Sequence, residues 1–178
     1  MSQIMKNKIK LLILDVDGVM SDGKKYYDNT GFAVYKTFCD KDFTAIKKFR
    51  ASGCKVIFLS GDKNVNESVA NNRNIDFYNS RGKCKTEFID KILETYNVSI
   101  NEVAFVGDDI FDIPLMKMVG YKYCPNDAVK ELKKICSILD NNGGNNCINE
   151  LYDKLRSLNA INPYKLNILL DIDNNDKF

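Results

Sequence analysis

The chain contains no histidine and no tryptophan, and only three prolines. Without histidine there is no Ser-His-Asp triad, no Cys-His dyad, no imidazole base and no His-containing zinc site. Proton transfer must then come from carboxylates, lysine, tyrosine or cysteine. A dominant charge is also missing. Lys+Arg number 26 and Asp+Glu 24, a net of +2, which excludes the basic stripe of a dedicated nucleic-acid binder. Long apolar runs are scarce as well. Behind Lys6, Lys8 and Lys10, the run Leu11-Leu12-Ile13-Leu14 looks like the start of a targeting segment, but it stops at Asp15. That is too short for a signal core or a membrane span, so no membrane partner and a cytoplasmic location are expected.

Cysteine is frequent by contrast: Cys39, Cys54, Cys84, Cys124, Cys136 and Cys147. The closest pair, Cys136 and Cys147, lies eleven positions apart, so neither CxxC nor zinc-knuckle spacing occurs. Cys54 and Cys136 sit in apolar contexts. Reduced, mostly buried thiols of a cytosolic protein are expected rather than three disulfides.

At roughly 150 residues per domain, 178 residues make one domain with a tail, and 44% hydrophobic residues can fill its core. Apolar runs alternate with helical spacing. Residues 9–16, 55–59 and 102–106 are buried-strand runs, and shorter ones lie at 75–78, 120–123 and 136–139. Three- and four-residue apolar spacing predicts helices at 42–51, 85–96, 108–118 and 146–158. The alternation predicts an α/β fold: a doubly wound, mainly parallel, Rossmann-like sheet. One segment interrupts it. Residues 24–36 read as two aromatic strand halves around Asp28-Asn29-Thr30-Gly31, an inserted β-hairpin. The domain is expected over residues 1–159, with a tail over 160–178 whose acidic Asn/Asp end stays disordered unless something docks it.

Asp15-Val16-Asp17-Gly18 follows the first buried strand, where open α/β sheets place their ligands. Gly107-Asp108-Asp109-Ile110-Phe111-Asp112 follows the third and opens a helix, with Asp108 and Asp112 four apart. Each alone has a plainer reading, as a surface turn or a helix cap. If the two strands are neighbours, however, Asp15, Asp17, Asp108 and Asp112 converge, and four carboxylates repel without a cation. An all-oxygen site suits Mg²⁺. Ser60-Gly61 ends the second strand and can cradle an anion with its hydroxyl and backbone N–H groups. Lys85 opens a helix and offers a point charge to phosphate.

In this order the four segments resemble the four motifs of the haloacid dehalogenase superfamily of phosphotransferases. Asp15-x-Asp17-Gly18 is similar to the first motif, Ser60-Gly61 to the second, Lys85 to the third and Gly107-Asp108-Asp109-x-x-Asp112 to the fourth. The stretch from Asp15 to Gly23, the hairpin and the segment from Val106 to Met116 resemble the capless 3-deoxy-D-manno-octulosonate 8-phosphate phosphatases and their relatives acting on nonulosonate (sialic-acid-type) 9-phosphates. The resemblance spans about residues 9–158 and leaves no room for a cap domain.

It implies a Mg²⁺-dependent phosphomonoesterase acting on a 2-keto-3-deoxy sugar acid phosphate through an aspartyl-phosphate. Asp15 would be the nucleophile and Asp17 the acid and base. Ser60, Gly61 and Lys85 would bind phosphate. Asp15, Asp108 and Asp112, with the backbone carbonyl of Asp17, would hold the metal. Asp40, Lys41 and Asp62 are expected near the sugar. A homotetramer is implied, in which a neighbour's hairpin and C-terminal tail close the site. The chain departs from the pattern at Ser60, where Thr is commoner, at Asp62, where the octulosonate branch has Arg, at Arg81-Gly82-Lys83-Cys84, and at Gly143-Gly144-Asn145-Asn146, which lacks a third glycine. Asp62 tilts the expected substrate towards nine-carbon acids. A catalytically silent domain of the same fold, associated with a sugar-acid cytidylyltransferase, is the competing expectation, and the intact motifs weigh against it.

Overall fold

The computed structural model describes residues 8–176. Lys6, part of the charged run before the first strand, lies outside them. The elements in chain order are β1 (Leu11–Leu14), β2 (Tyr26–Tyr27), β3 (Ala33–Tyr35), α1 (Asp40–Ala51), β4 (Lys55–Ser60), α2 (Asn64–Asn72), β5 (Asp76–Asn79), α3 (Ile89–Tyr96), β6 (Val103–Val106), α4 (Ile113–Met118), β7 (Tyr121–Cys124), α5 (Lys130–Lys133), β8 (Ser137–Ile138), α6 (Cys147–Ser157) and α7 (Leu166–Asn175). Short 3₁₀ turns at Lys85–Phe88 and Ile110–Asp112 lead into α3 and α4.

Six strands form one sheet in the order β5-β4-β1-β6-β7-β8, every pairing parallel. Strands buried on both faces need apolar residues at every position, and β1 and β6 supply them. Leu12, Leu14, Val56, Phe58, Ala104 and Val106 face one layer with Phe43, Ile46, Phe49, Leu151 and Tyr152 of α1 and α6. Leu11, Ile13, Ile57, Leu59, Val103 and Phe105 face the other with Ile89, Ile92, Leu115, Met116 and Leu132 of α3, α4 and α5. Alternate residues of each strand thus serve opposite cores. The order also decides where chemistry can occur. β1 lies between β4 and β6, with Leu14 level with both Phe58 and Val106. The segments after these three strands therefore end side by side.

β2 and β3 form the expected antiparallel ribbon, apart from the main sheet. Tyr26, Tyr27, Phe32, Val34 and Tyr35 are all exposed on it. Only α1 joins the ribbon to β4, and only α2 and β5 separate Gly61 from Lys85, so no cap is inserted.

The C-terminal segment docks back on the domain. Ala160 and Ile161 are buried in the core, and Ile9 donates its N–H to the Ala160 carbonyl. Beyond them α7 packs on α1. Lys47 pairs with Asp173 at 2.6 Å and Asp176 at 3.0 Å, and the Asn74 amide donates to the Asn175 carbonyl. The docking partners lie more than a hundred positions away, which local spacing does not reveal. Among the described residues no helix is long and apolar enough to cross a membrane.

Candidate active site

The site is built at the carboxyl ends of β1, β4 and β6. The Asp15 N–H donates to the Val106 carbonyl at 3.0 Å, which pins the end of β1 to β6. Val16 in turn donates its N–H to Asp15 Oδ1 at 2.7 Å. Asp112 Oδ2 accepts the backbone N–H groups of Asp108 (2.9 Å) and Asp109 (3.1 Å), closing the acidic loop on itself. Carboxylate oxygens of Asp15, Asp108 and Asp112 lie within 4.8 Å of one another. Glycine permits the approach: a Cβ on Gly18, whose φ is +83°, would sit 2.0 Å from Asp108 Oδ2. Likewise a Cβ on Gly107 would meet the Asp112 carboxylate at 2.5 Å.

Lys85 is the cation inside this cluster. Its Nζ lies 2.6 Å from Asp112 Oδ1 and 3.1 Å from Asp15 Oδ2. Burial disfavours its charge, but the two carboxylates outweigh burial and hold its pKa above the ordinary value. One ammonium does not balance three carboxylates. Burial, with the charge of Asp112, pushes Asp15 up to about 6 despite Lys85. Burial, with Asp15, Asp112 and Asp109, pushes Asp108 up to about 8. Asp108 Oδ1 is buried with no hydrogen-bond partner. An all-oxygen cluster with an orphaned buried acceptor and an excess of negative charge fits a hard divalent cation.

This imbalance sets a pH dependence. Folding raises Asp15 and Asp108 above the ordinary 3.8, so between about 4 and about 8 these two groups hold more protons in the folded chain than in the unfolded one. Stability then falls as pH rises through that window. The raised pKa of Lys85 contributes only near and above its ordinary 10.5. The metal-free protein is expected to melt at a lower temperature at pH 8 than at pH 6. Mg²⁺ is expected to raise the melting temperature more at pH 8, because less of its binding is spent displacing protons. Melts with chelator and with Mg²⁺ at both pH values check this; an equal Mg²⁺ effect at both would contradict it.

Asp17 lies beside the cluster and its carboxylate turns away from it. Lys36 Nζ approaches Oδ1 at 2.7 Å, Asn66 Nδ2 donates to Oδ2 at 3.1 Å, and Lys25 Nζ stands 3.5 Å from Oδ2. Asp62 joins the same group, 2.9 Å from Lys25 and 2.8 Å from Lys36. Burial opposes its charge, yet the two ammonium groups outweigh burial and hold its carboxyl below the ordinary range. Ser60 is buried at the end of β4.

A cavity of about 840 Å³ opens over these groups, lined by Asp15, Asp17, Ser60, Gly61, Asp62, Lys85, Asp108 and Asp112 among others. That volume suits a small molecule. Arg81 and Lys83 add basic groups to its wall, and the exposed ring of Phe111 stands at its rim. Asp40 and Lys41, expected near the sugar, are elsewhere. They open α1 as exposed residues outside the cavity lining, with Asp40 3.8 Å from Arg73. Both side chains are exposed at the first turn of α1. The residues that do reach Asp17 and Asp62, namely Lys25, Lys36 and Asn66, were not singled out from the sequence. Their one sequence signal is a lysine at each foot of the hairpin. All six cysteines are free. Burial pushes the Cys54 thiol up to about 12, and exposed Cys84 lines the cavity beside Lys85.

Residues 20–150 match the model of a family described as haloacid dehalogenase-like hydrolase. The 3-deoxy-D-manno-octulosonate 8-phosphate phosphatase KdsC of Salmonella typhi is 36% identical over 122 residues, which cover 67% of this chain and 64% of that protein. The match thus spans just under two thirds of that relative's length. Among solved structures, a subfamily III A hydrolase from Legionella pneumophila is 29% identical with a TM-score of 0.81, covering 94% of this chain and 90% of that one. The cobalt-bound deoxy-D-mannose-octulosonate 8-phosphate phosphatase of Haemophilus influenzae is 29% identical with a TM-score of 0.78, covering 86% and 89%. With its parallel sheet and its acidic loops at the ends of β1 and β6, the chain belongs to the haloacid dehalogenase-like hydrolases.

Proposed function

We propose that this protein is a cytoplasmic phosphomonoesterase for a 2-keto-3-deoxy sugar acid phosphate, an octulosonate 8-phosphate or a nonulosonate 9-phosphate. The observation that carries the reading is the convergence of Asp15, Asp108, Asp112 and Lys85 at the adjoining ends of β1 and β6, with Asp17 beside them. The relatives named as octulosonate 8-phosphate phosphatases support the substrate class.

Asp15 attacks phosphorus in line and takes the phosphoryl group as a mixed anhydride. Asp17 gives a proton to the departing sugar oxygen, then withdraws one from the water that cleaves the anhydride. Lys85, Ser60 and the backbone at Gly61 hold the phosphoryl oxygens as charge develops on them. Asp15, Asp108 and Asp112, with the backbone carbonyl of Asp17, would hold Mg²⁺. The ion supplies charge neutralisation between the carboxylates and the phosphate. Asp62, Arg81 and Lys83 are in place to meet the polar and acidic parts of the sugar.

The assembly belongs to the same proposal. A two-stranded ribbon with exposed aromatics along it is marginal alone in water, and an apolar patch of this kind marks an interface. Four copies packing their ribbons together would bury these residues and close each neighbour's cavity against water. Phosphate release with Mg²⁺ over a panel of sugar acid phosphates and plain hexose phosphates tests the function. Keto-deoxy acid phosphates are expected to be preferred, and preference for a hexose phosphate would contradict the reading. Deleting residues 26–35 is expected to give monomers that lose most sugar-acid phosphate activity and keep some on a small aryl phosphate. A wild-type monomer at micromolar concentration with full activity would refute the assembly.

A further inference from the structure

Lys36 leaves β3 at the foot of the hairpin, and its side chain is 0% exposed. Its Nζ meets three oxygens from three parts of the chain: Asp17 Oδ1 at 2.7 Å, Asp62 Oδ2 at 2.8 Å and Asn66 Oδ1 at 2.8 Å. The ammonium donates hydrogen bonds to Asp62 and Asn66 and stands against Asp17 Oδ1 as a close ion pair. Asn66, 0% exposed in α2, faces the other way with its amide nitrogen. Nδ2 donates to Asp17 Oδ2 at 3.1 Å and to Ser60 Oγ at 3.2 Å. The partners dictate the amide's orientation, because the ammonium needs a carbonyl oxygen and the carboxylate needs N–H.

The two oxygens of Asp17 are therefore held from different sides, Oδ1 by Lys36 and Oδ2 by Asn66. Turning the carboxylate about its bond to Cβ would break both contacts. Ser60 accepts from Asn66, which leaves its own hydroxyl proton free to be donated into the cavity. A buried ammonium and a buried amide are costly unless every partner is present, and an ordinary core would fill this space with apolar side chains.

We propose that Lys36, backed by Asn66, is a positioning residue that aims the Asp17 carboxylate at the leaving-group oxygen of the substrate. The inference rests on the reading of Asp17 as the general acid. It also ties the hairpin to the chemistry: the strand that would pack against a neighbouring copy ends in the residue that orients the acid.

The test compares kcat/KM on a primary alkyl phosphate, whose leaving oxygen needs a proton, with that on p-nitrophenyl phosphate, whose phenolate leaves without one. This ratio reports events up to phosphoryl transfer, so the later hydrolysis does not enter. Asp17→Asn is the reference and is expected to lose about 100-fold more on the alkyl ester than on the aryl ester. Lys36→Met is expected to show the same bias, with an alkyl-selective loss of about tenfold or more. Asn66→Ala keeps the charges and is expected to lower both esters through Ser60, and the alkyl ester further. Equal losses on both esters in a folded Lys36→Met protein are what a merely structural lysine would give, and they would overturn the proposal. If Lys36→Met does not fold, the same criterion applies to Asn66→Ala. A leaving-group bias in Asp17→Asn that neither variant shares refutes this inference alone. Absence of the bias in Asp17→Asn refutes the acid role and the inference with it.

Discussion

Asp15→Asn is expected to lower phosphate release by about 10⁴-fold or more, because it removes the attacking oxygen and leaves only binding and charge stabilisation. The substitution keeps the side chain's shape in a buried position just past the end of β1. It loses the contact with Lys85 at 3.1 Å. It also removes one of the carboxylates that push Asp108 up to about 8. These effects oppose each other, so the melting temperature is expected to change little, and the variant is expected to bind Mg²⁺ more weakly. Steady-state rates and thermal melts on the same preparation separate chemistry from folding. Activity within about tenfold of the unmodified protein, a barrier change of only about 1.4 kcal/mol, would exclude Asp15 as the nucleophile.

Lys85→Met carries the second large effect, and here stability moves as well. The Lys85 side chain is 7% exposed and touches both Asp15 and Asp112. Methionine fills the volume but leaves buried carboxylates without their cation, which costs about 3–5 kcal/mol when one partner of a buried pair is removed. The loss is expected at pH 8 and is expected to shrink towards pH 6. Asp15 and Asp108 titrate at about 6 and about 8 even beside the lysine, and they take up protons more readily without it. Mg²⁺ is expected to restore part of the stability and little of the activity, since the phosphoryl group still lacks its contact with Lys85. Urea unfolding at the two pH values, with and without Mg²⁺, reads these terms. A variant as stable as the parent at pH 8 without metal would show that Lys85 does not balance the cluster.

The parts of the molecule legible in the sequence are those fixed by local pattern. Strands buried on both faces need unbroken apolar runs, so Leu11–Leu14 and Val103–Val106 stood out with their acidic loops attached. The neighbouring of β1 and β6 follows from a doubly wound order, and with it the meeting of Asp15, Asp108 and Asp112. The hairpin was legible from its aromatic halves and Asp28-Asn29-Thr30-Gly31. Contacts made only in three dimensions were not legible. The docking of α7 depends on Lys47 of α1, a long way back in the chain. Asn66 looks like any polar residue of a surface helix until its burial and its three partners are seen. Asp40 and Lys41 stand exposed at the start of α1, outside the cavity lining of the single chain.

The proposed chemistry requires a covalent bond between phosphorus and Asp15. Rapid acid quenching of the protein during turnover of a radiolabelled phosphate ester, followed by borohydride reduction and peptide mapping, reads that bond. Label retained on the quenched protein, with reduction of Asp15 to homoserine and neither signal in Asp15→Asn, is the predicted result. Rapid phosphate release with no label retained at any quench time, or label mapped to another residue, would contradict it.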